Sequence, residues 1–350
     1  MFATLFVMGA SALTVPAAPV ACPDDVIKIA SGRACLASNS GVAIADSQER
    51  AQDLLAWADD GAARVAARLA IIPSRYAVID GPGRESAAPV RESLAAQGYP
   101  VVLNWLSPQA FQRQMEDNVA RTIRQRMAAS GVDGPRLDAI VAGAVAQIAG
   151  QTDAAAIRQR DSVVVPHELG HKWLGQAYWP NVGRVAGQYG GPAPDWLEEM
   201  VALLAEPDHK LDERREQFWQ AYRNDRAAGR EPRFHDLAGF LTVPHPMSSQ
   251  LGGESPHGGG GFTVRVLDSN DPALAGVNPG HYYLQTLVFY DFMSAAGLGA
   301  DDLQDLVRAI SEGGTFATWL SEKGSGIGLP QTVTDLERRW RDWLESAAPA

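Results

Sequence analysis

The sequence is short of several features that would place it at once, and each shortage closes off a class. Only two of its 350 residues are cysteine, Cys22 and Cys35. Their spacing exceeds the two to four residues usual for a thiolate metal pair, and no second pair exists. There is no basic surplus, since 30 Lys and Arg stand against 41 Asp and Glu, a net charge of -11. A chain without excess cations has little with which to displace counterions from phosphates, so no nucleic-acid partner is expected. Phosphate-cradling loops, serine-nucleophile motifs and internal repeats are missing, and Gly170 and Gly175 do not make a dinucleotide fingerprint. The apolar opening stretch is broken by Pro16 and Pro19, so no stable membrane span is expected in the mature chain. Histidine is also scarce, at 7 residues, so where it falls is informative.

Two of those histidines fall in His167-Glu168-Leu169-Gly170-His171. A helix through this stretch puts both imidazoles on one face, one turn apart. Imidazole nitrogen is a common zinc ligand. In H-E-x-x-H sites the intervening glutamate takes a proton from the metal-activated water, which assigns that role to Glu168. The flanks Val163 to Val165, Trp173 and Leu174 suit a buried helix, and Gly170 allows a close neighbour. Ser162 is expected to cap this helix, with Pro166 in its first turn.

A catalytic zinc site normally has three protein ligands and an open position. A compact third histidine is ruled out because Leu174 and Ala177 occupy the places it requires. Further on, Pro194 to Glu206 reads as a second helix whose broad apolar side carries Glu198 and Glu199 among Trp196, Leu197, Val201 and Ala202. A glutamate buried there is costly unless paired or bound to a metal.

The stretch His167 to Gln176, HELGHKWLGQ, resembles the metal-binding helix of the gluzincin metallopeptidases, the thermolysin and aminopeptidase-N clan. Trp196, Leu197, Glu199 and Ala202 match the W-L-x-E-x-x-A of that clan's aminopeptidase-N-like branch. The resemblance implies one catalytic Zn2+ held by His167, His171 and Glu199, with Glu198 the alternative third ligand. It also implies a tyrosine that steadies the oxyanion. Tyr283-Leu284-Gln285-Thr286 matches that motif best, with Tyr282 one residue out and His281 a second possible donor. The implied fold is α+β, a zincin (thermolysin-like) core with a small β-sheet lobe and a mainly helical C-terminal lobe. The implied function is peptide-bond hydrolysis on a peptide or protein substrate. A zinc-binding scaffold of the same fold, or a hydrolase of another amide or an ester, is the alternative.

Two departures from the family bear on this reading. The G-x-M-E-N segment that holds a substrate's amino group in the aminopeptidase branch is absent, which leaves endopeptidase and aminopeptidase both open. Leu203 stands where thermolysin-like members place a histidine-orienting acid, so Asp195 or a main-chain carbonyl is expected to do that work.

The chain divides into a secretory signal at 1-21, without a basic start, an N-terminal α/β region at 22-155, the zinc-binding helix pair at 156-210 and a mainly helical lobe at 211-350. The protein is therefore expected to be exported, periplasmic or secreted, with Ala21-Cys22 as a minority lipoprotein reading. A Cys22–Cys35 disulfide suits that setting. Asp46 to Leu69 reads as a helix capped by Asp46, with Glu49 closing a capping box, and Tyr76–Asp80 and Tyr99–Asn104 read as strands. Gln112 to Ala129 reads as a helix with a solvated charged face and Leu137 to Ile148 as a packed apolar helix. Leu211 to Arg226 reads as a charged, exposed helix, while Leu251 to Gly261 reads as a flexible linker carrying a solvated His257.

Overall fold

The computed structural model describes residues 20–82, 88–151, 153–182, 191–232, 234–246 and 279–347. Most of residues 1-21 and the glycine-rich stretch with His257 lie outside them.

Mixed α and β structure is built on a five-stranded sheet in the order β1 (Val20–Ala21), β2 (Ala34–Ala37), β3 (Gly41–Ala45), β4 (Tyr76–Gly81), β5 (Val101–Leu106). The first three strands pair antiparallel and the last three parallel. Parallel neighbours need crossovers, supplied by α2 (Gln48–Leu69) between β3 and β4 and by α3 (Ala88–Ala96) between β4 and β5. Side chains alternate faces along a strand. Ala43, Ala45, Tyr76, Val78, Val101 and Leu103 therefore join the main core, while Val42, Ile44, Ala77 and Tyr99 pack with Val26 of α1 (Asp24–Ala30) and Leu94 of α3. The sheet is thus covered on both faces. β1 to β3 and α3 went unread in the sequence because their runs are short and rich in alanine, which carries little strand signal.

The main core continues through α6 (Ala154–Tyr178), α7 (Asp195–Ala205), α8 (Asp208–Ala227), the short α9 (Leu237–Phe240), α10 (Pro279–Ala295), α11 (Ala300–Ser311), α12 (Phe316–Lys323) and α13 (Val333–Ala347). Before them, α4 (Pro108–Ala129) and α5 (Gly134–Gln151) pack against each other.

Several expectations need correction. Helix α2 is capped by Ser47, whose side chain accepts from the Arg50 amide, and not by Asp46, whose carboxylate pairs with Arg33 at 2.8 Å. Helix α6 begins a full eight residues before Ser162 and is capped by Asp153, so Pro166 lies inside it. Proline costs a helix about 3 kcal/mol, but burial of Ile157, Val163 and Val165 holds the N-terminal half against the rest of the fold. Pro166 itself presses on α2 at Gly61, where an added Cβ would stand 2.6 Å from the proline ring. Helix α5 is more exposed than its apolar composition suggests, with Val141 buried but Ile140 open to solvent. Helix α8 is not simply a solvated face, for Leu211, Phe218, Tyr222 and Asp225 are buried.

Arg50 of α2 donates to Asp80 of β4 at 3.2 Å and to Asp161 of α6 at 2.6 Å, and Arg160 pairs with the other oxygen of Asp161. This network pins the metal-motif helix to the sheet. Cys22 and Cys35 form a disulfide with a Cα–Cα separation of 5.7 Å, joining the start of the chain to β2. The bond fits an oxidising, exported setting. Among the described residues no single helix is long and apolar enough to cross a membrane.

Candidate metal centre

Helices α6 and α7 approach closely because Gly170 has no side chain. A Cβ there would stand 2.8 Å from the Ala202 Cα and 3.2 Å from the Val201 carbonyl oxygen. The approach sets Glu199 across from His167 and His171. Glu199 Oε2 lies 3.6 Å from His167 Nε2, and its Oε1 lies 3.7 Å from His171 Nε2. Donors on a tetrahedral zinc with bonds of 2.0 to 2.1 Å stand about 3.4 Å apart, so the spacing is close to that of a ligand shell. One ligand atom from each residue lies within 4.8 Å of the others, which makes these three a group positioned to bind a metal ion.

The chemistry of the donors also suits a cation. Neither oxygen of the buried Glu199 has a hydrogen-bond partner among the described residues. Burial pushes its carboxyl up to about 8 despite the opposing pull of His167. Burial depresses His171 well below the ordinary imidazole range, helped by repulsion from His167 and His245. Burial would lower His167 too, but the Glu206 hydrogen bond and the charge of Glu199 raise it to about 8. Two imidazoles and a desolvated carboxyl with no hydrogen-bond partner among the described residues fit a divalent ion well.

The atoms behind the ligands are arranged as well. His167 Nδ1 donates to Glu206 Oε1 at 2.9 Å, which leaves Nε2 turned towards Glu199 as the nitrogen able to bind an ion. Glu206 in turn accepts from Arg214 through both oxygens, at 2.9 and 2.8 Å. Its carboxyl is held below the usual range because His167 and Arg214 outweigh the upward push of burial. Glu198 faces the other way. It accepts from the Gly191 amide at 2.5 Å and the Ala193 amide at 3.1 Å, and its Oε2 lies 3.8 Å from His171 Nδ1. Glu198 therefore anchors the loop before α7 behind His171, while Glu199 stands with the Nε2 atoms. Glu168 is half-buried and close enough for its charge to act on both Glu199 and His167.

Across from this wall, Tyr283 of α10 lies with its ring centroid 6.4 Å from that of His167. Its hydroxyl is hydrogen-bonded to His245 Nε2 at 3.1 Å, and the same nitrogen lies 3.6 Å from Glu199 Oε1. The His245 main chain is fixed by its amide, which donates to Asp195 Oδ2 at 2.6 Å. Burial lowers His245 to about 3, so the ring is neutral. Tyr282 is buried against Phe240 and His245, and its hydroxyl has no partner among the described residues. His281 packs on Phe234, with ring centroids 5.5 Å apart.

Sequence reading did not find Glu206, Arg214 or His245. Asp195, expected as a histidine-orienting acid, holds the His245 main chain instead, and Glu206 orients His167 from just past the end of α7. Pro244-His245-Pro246 is a rigid, extended signature, but it lies well outside both motifs and gives no spacing by which to place it. Comparison with protein-family models, with curated proteins and with solved structures finds no match to this chain.

Proposed function

We propose that the chain is an exported zinc metallopeptidase with a gluzincin-type active site, in which His167, His171 and Glu199 hold the ion. The observation that carries this reading is the buried Glu199 carboxylate, without a hydrogen-bond partner among the described residues and faced by two imidazole Nε2 atoms at 3.6 and 3.7 Å. Glu168, next to the first of those imidazoles in sequence, supplies the base.

When bound, zinc supplies a Lewis acid that acidifies water and polarises a carbonyl. Glu168 accepts the proton of the attacking water and delivers it to the leaving amine. Tyr283 donates its hydroxyl proton to the carbonyl oxygen as that atom gains charge. For this the neutral His245 ring must carry its proton on Nε2 and donate to the tyrosine oxygen, so that the phenolic O–H is the donor to the carbonyl oxygen. Glu206 holds the His167 ring at the correct tautomer. β5 is an edge strand of the sheet and packs on α6, an arrangement that suits strand addition by an extended peptide.

Digestion of a mixed peptide library by the zinc-loaded protein, beside Glu168→Ala, tests the reading. The native protein is expected to cut and the variant to lose about 10²- to 10⁴-fold in rate while keeping its zinc. The ends of the products, read by mass spectrometry, separate endopeptidase from aminopeptidase.

One observation favours a second reading, a zinc site that binds without hydrolysing. His245 Nε2, 3.6 Å from Glu199 Oε1, is hydrogen-bonded to the Tyr283 hydroxyl at 3.1 Å, so that hydroxyl already has a protein partner. Neither native nor variant protein cutting, with both holding one zinc, would select that reading or a hydrolase of a non-peptide amide or ester.

A further inference from the structure

We propose that Arg214 is a positioning residue of the metal centre, holding Glu206 in the one orientation that fixes His167 for the ion and tying that centre to the helix of Tyr283. The inference rests on the metal-site reading above.

Glu206 follows the last residue of α7, beyond the helix's own hydrogen-bonded frame, with its backbone extended and its amide donating to Leu203 O at 2.9 Å. Its carboxylate is 1% exposed and serves two donors, with Oε1 shared between His167 Nδ1 and Arg214 Nη2 and Oε2 taken by Arg214 Nε. A planar fork making two roughly parallel bonds sets the plane of a carboxylate, which a single point charge does not. The guanidinium thus decides where Glu206 Oε1 lies, and Oε1 decides the tilt of the His167 ring. Arg214 also compensates a buried negative charge beside an imidazole.

The same guanidinium lies 6.0 Å from the centroid of the Tyr283 ring. The next residue, Arg215, points about 100° further round α8 and forks onto Asp291 of α10 at 2.8 and 2.9 Å, two turns along from Tyr283. Adjacent arginines on one helix therefore hold Glu206, behind the metal group, and Asp291, on the helix of Tyr283. The two pairs differ in burial, since Asp291 is 24% exposed and Glu206 only 1%. Solvent screening makes the Arg215 pair the weaker one, which makes Arg215 a useful comparator.

The test is zinc affinity, measured by competition with a chromogenic chelator, for the full chain and for Arg214→Met, Arg214→Lys and Arg215→Met, with the melting temperature of each metal-free protein as a control for folding. Arg214→Met is expected to weaken zinc binding about 10-fold or more, the usual cost of losing an outer-shell partner. Arg214→Lys should recover part of that loss by restoring charge without the fork, and Arg215→Met should stay within about twofold of native. Native-like affinity in Arg214→Met overturns the proposal. So does an equal loss in Arg215→Met, or a loss in Arg214→Met matched by a collapse of the metal-free fold in both Arg214 variants, since the effect would then be general. A native chain that binds no zinc overturns this proposal together with the metal reading. Zinc binding that responds as expected in a protein that cuts no peptide leaves it standing and removes only the peptidase reading.

Discussion

Glu206 accepts the Nδ1 proton of His167 at 2.9 Å from a position seven residues beyond Glu199, so α7 and the residue that ends it supply both a candidate ligand and the group that orients another. Glu206→Gln keeps the size and one acceptor oxygen but removes the charge that Arg214 faces. We expect zinc affinity to fall by about 10- to 100-fold. Equilibrium competition with a chelator would measure it, and an unchanged affinity would show that the His167 ring is held by packing alone.

Zinc binding should strengthen with pH up to about 8. In the metal-free protein His167 is raised to about 8, against the lowering effect of burial, by Glu206 and Glu199, and Glu199 is raised to about 8 by burial. The adjacent His167–Glu199 pair therefore holds a proton at neutral pH that the ion must displace. Affinity is expected to rise about tenfold per pH unit for each proton released. A raised folded-state value also means that the stability it confers is present at low pH and lost as pH rises through it. The metal-free protein should accordingly melt lower at pH 8.5 than at pH 6.5. Depressed Glu206 adds nothing in this window, and depressed His171 and His245 add stability only as pH passes their ordinary value near 6.5, a smaller effect that does not reverse the sign. Flat affinity and flat melting across the range would contradict the assignment of protons to the cluster.

Gly170→Ala should damage the fold and the metal centre together. Its Cβ would stand 2.8 Å from the Ala202 main chain, which cannot swing aside as a side-chain tip can. Separating α6 from α7 moves Glu199 away from both imidazoles. A loss of about 1 to 3 kcal/mol is expected in denaturant unfolding of the metal-free protein, with weaker zinc binding. Unfolding indistinguishable from native would mean that the two helices have room the structure does not show.

What could be read in the sequence is what repeats at short range. The i, i+4 spacing of His167 and His171 needs only helix geometry, the choice of Glu199 over Glu198 rests on the family resemblance, and the structure brings His167, His171 and Glu199 together. Ser47, not Asp46, caps α2, an error of one residue of the kind expected where two capping side chains adjoin. Glu206, Arg214 and His245 were not legible for a different reason. Each acts across elements, through the end of α7, the inward face of α8 and a proline-flanked turn before α10, and no local period reports which face of a charged helix turns inward. Arg214 in particular sits in a stretch whose composition reads as solvated.

Breaking the buried network that anchors α6 should be costly. Arg50 is the shared partner of Asp80 and Asp161, which are 1% and 0% exposed. Arg50→Met leaves both carboxylates at least partly uncompensated, and loss of a buried partner costs about 3 to 5 kcal/mol. Urea unfolding should show that loss, whereas Arg158→Met, whose partner Asp53 binds it at an exposed site, should change stability by less than about 1 kcal/mol. Equal effects of the two substitutions would show that Asp80 and Asp161 find other partners.

The two adjacent tyrosines should separate cleanly in kinetics. The Tyr283 hydroxyl lies 3.1 Å from His245 Nε2, which in turn lies 3.6 Å from Glu199 Oε1, whereas the Tyr282 hydroxyl is buried with no partner among the described residues. If Tyr283 is the donor to the developing oxyanion, Tyr283→Phe lowers kcat by about 10²- to 10³-fold. KM and zinc content should stay near native, because the interaction belongs to the transition state. Tyr282→Phe removes a buried hydroxyl whose desolvation is not offset. It should leave kcat largely intact and raise stability by about 1 kcal/mol. The reverse pattern, with kcat lost in Tyr282→Phe and kept in Tyr283→Phe, would transfer the oxyanion to Tyr282 and leave the Tyr283–His245 hydrogen bond a strut between α10 and the turn that carries His245.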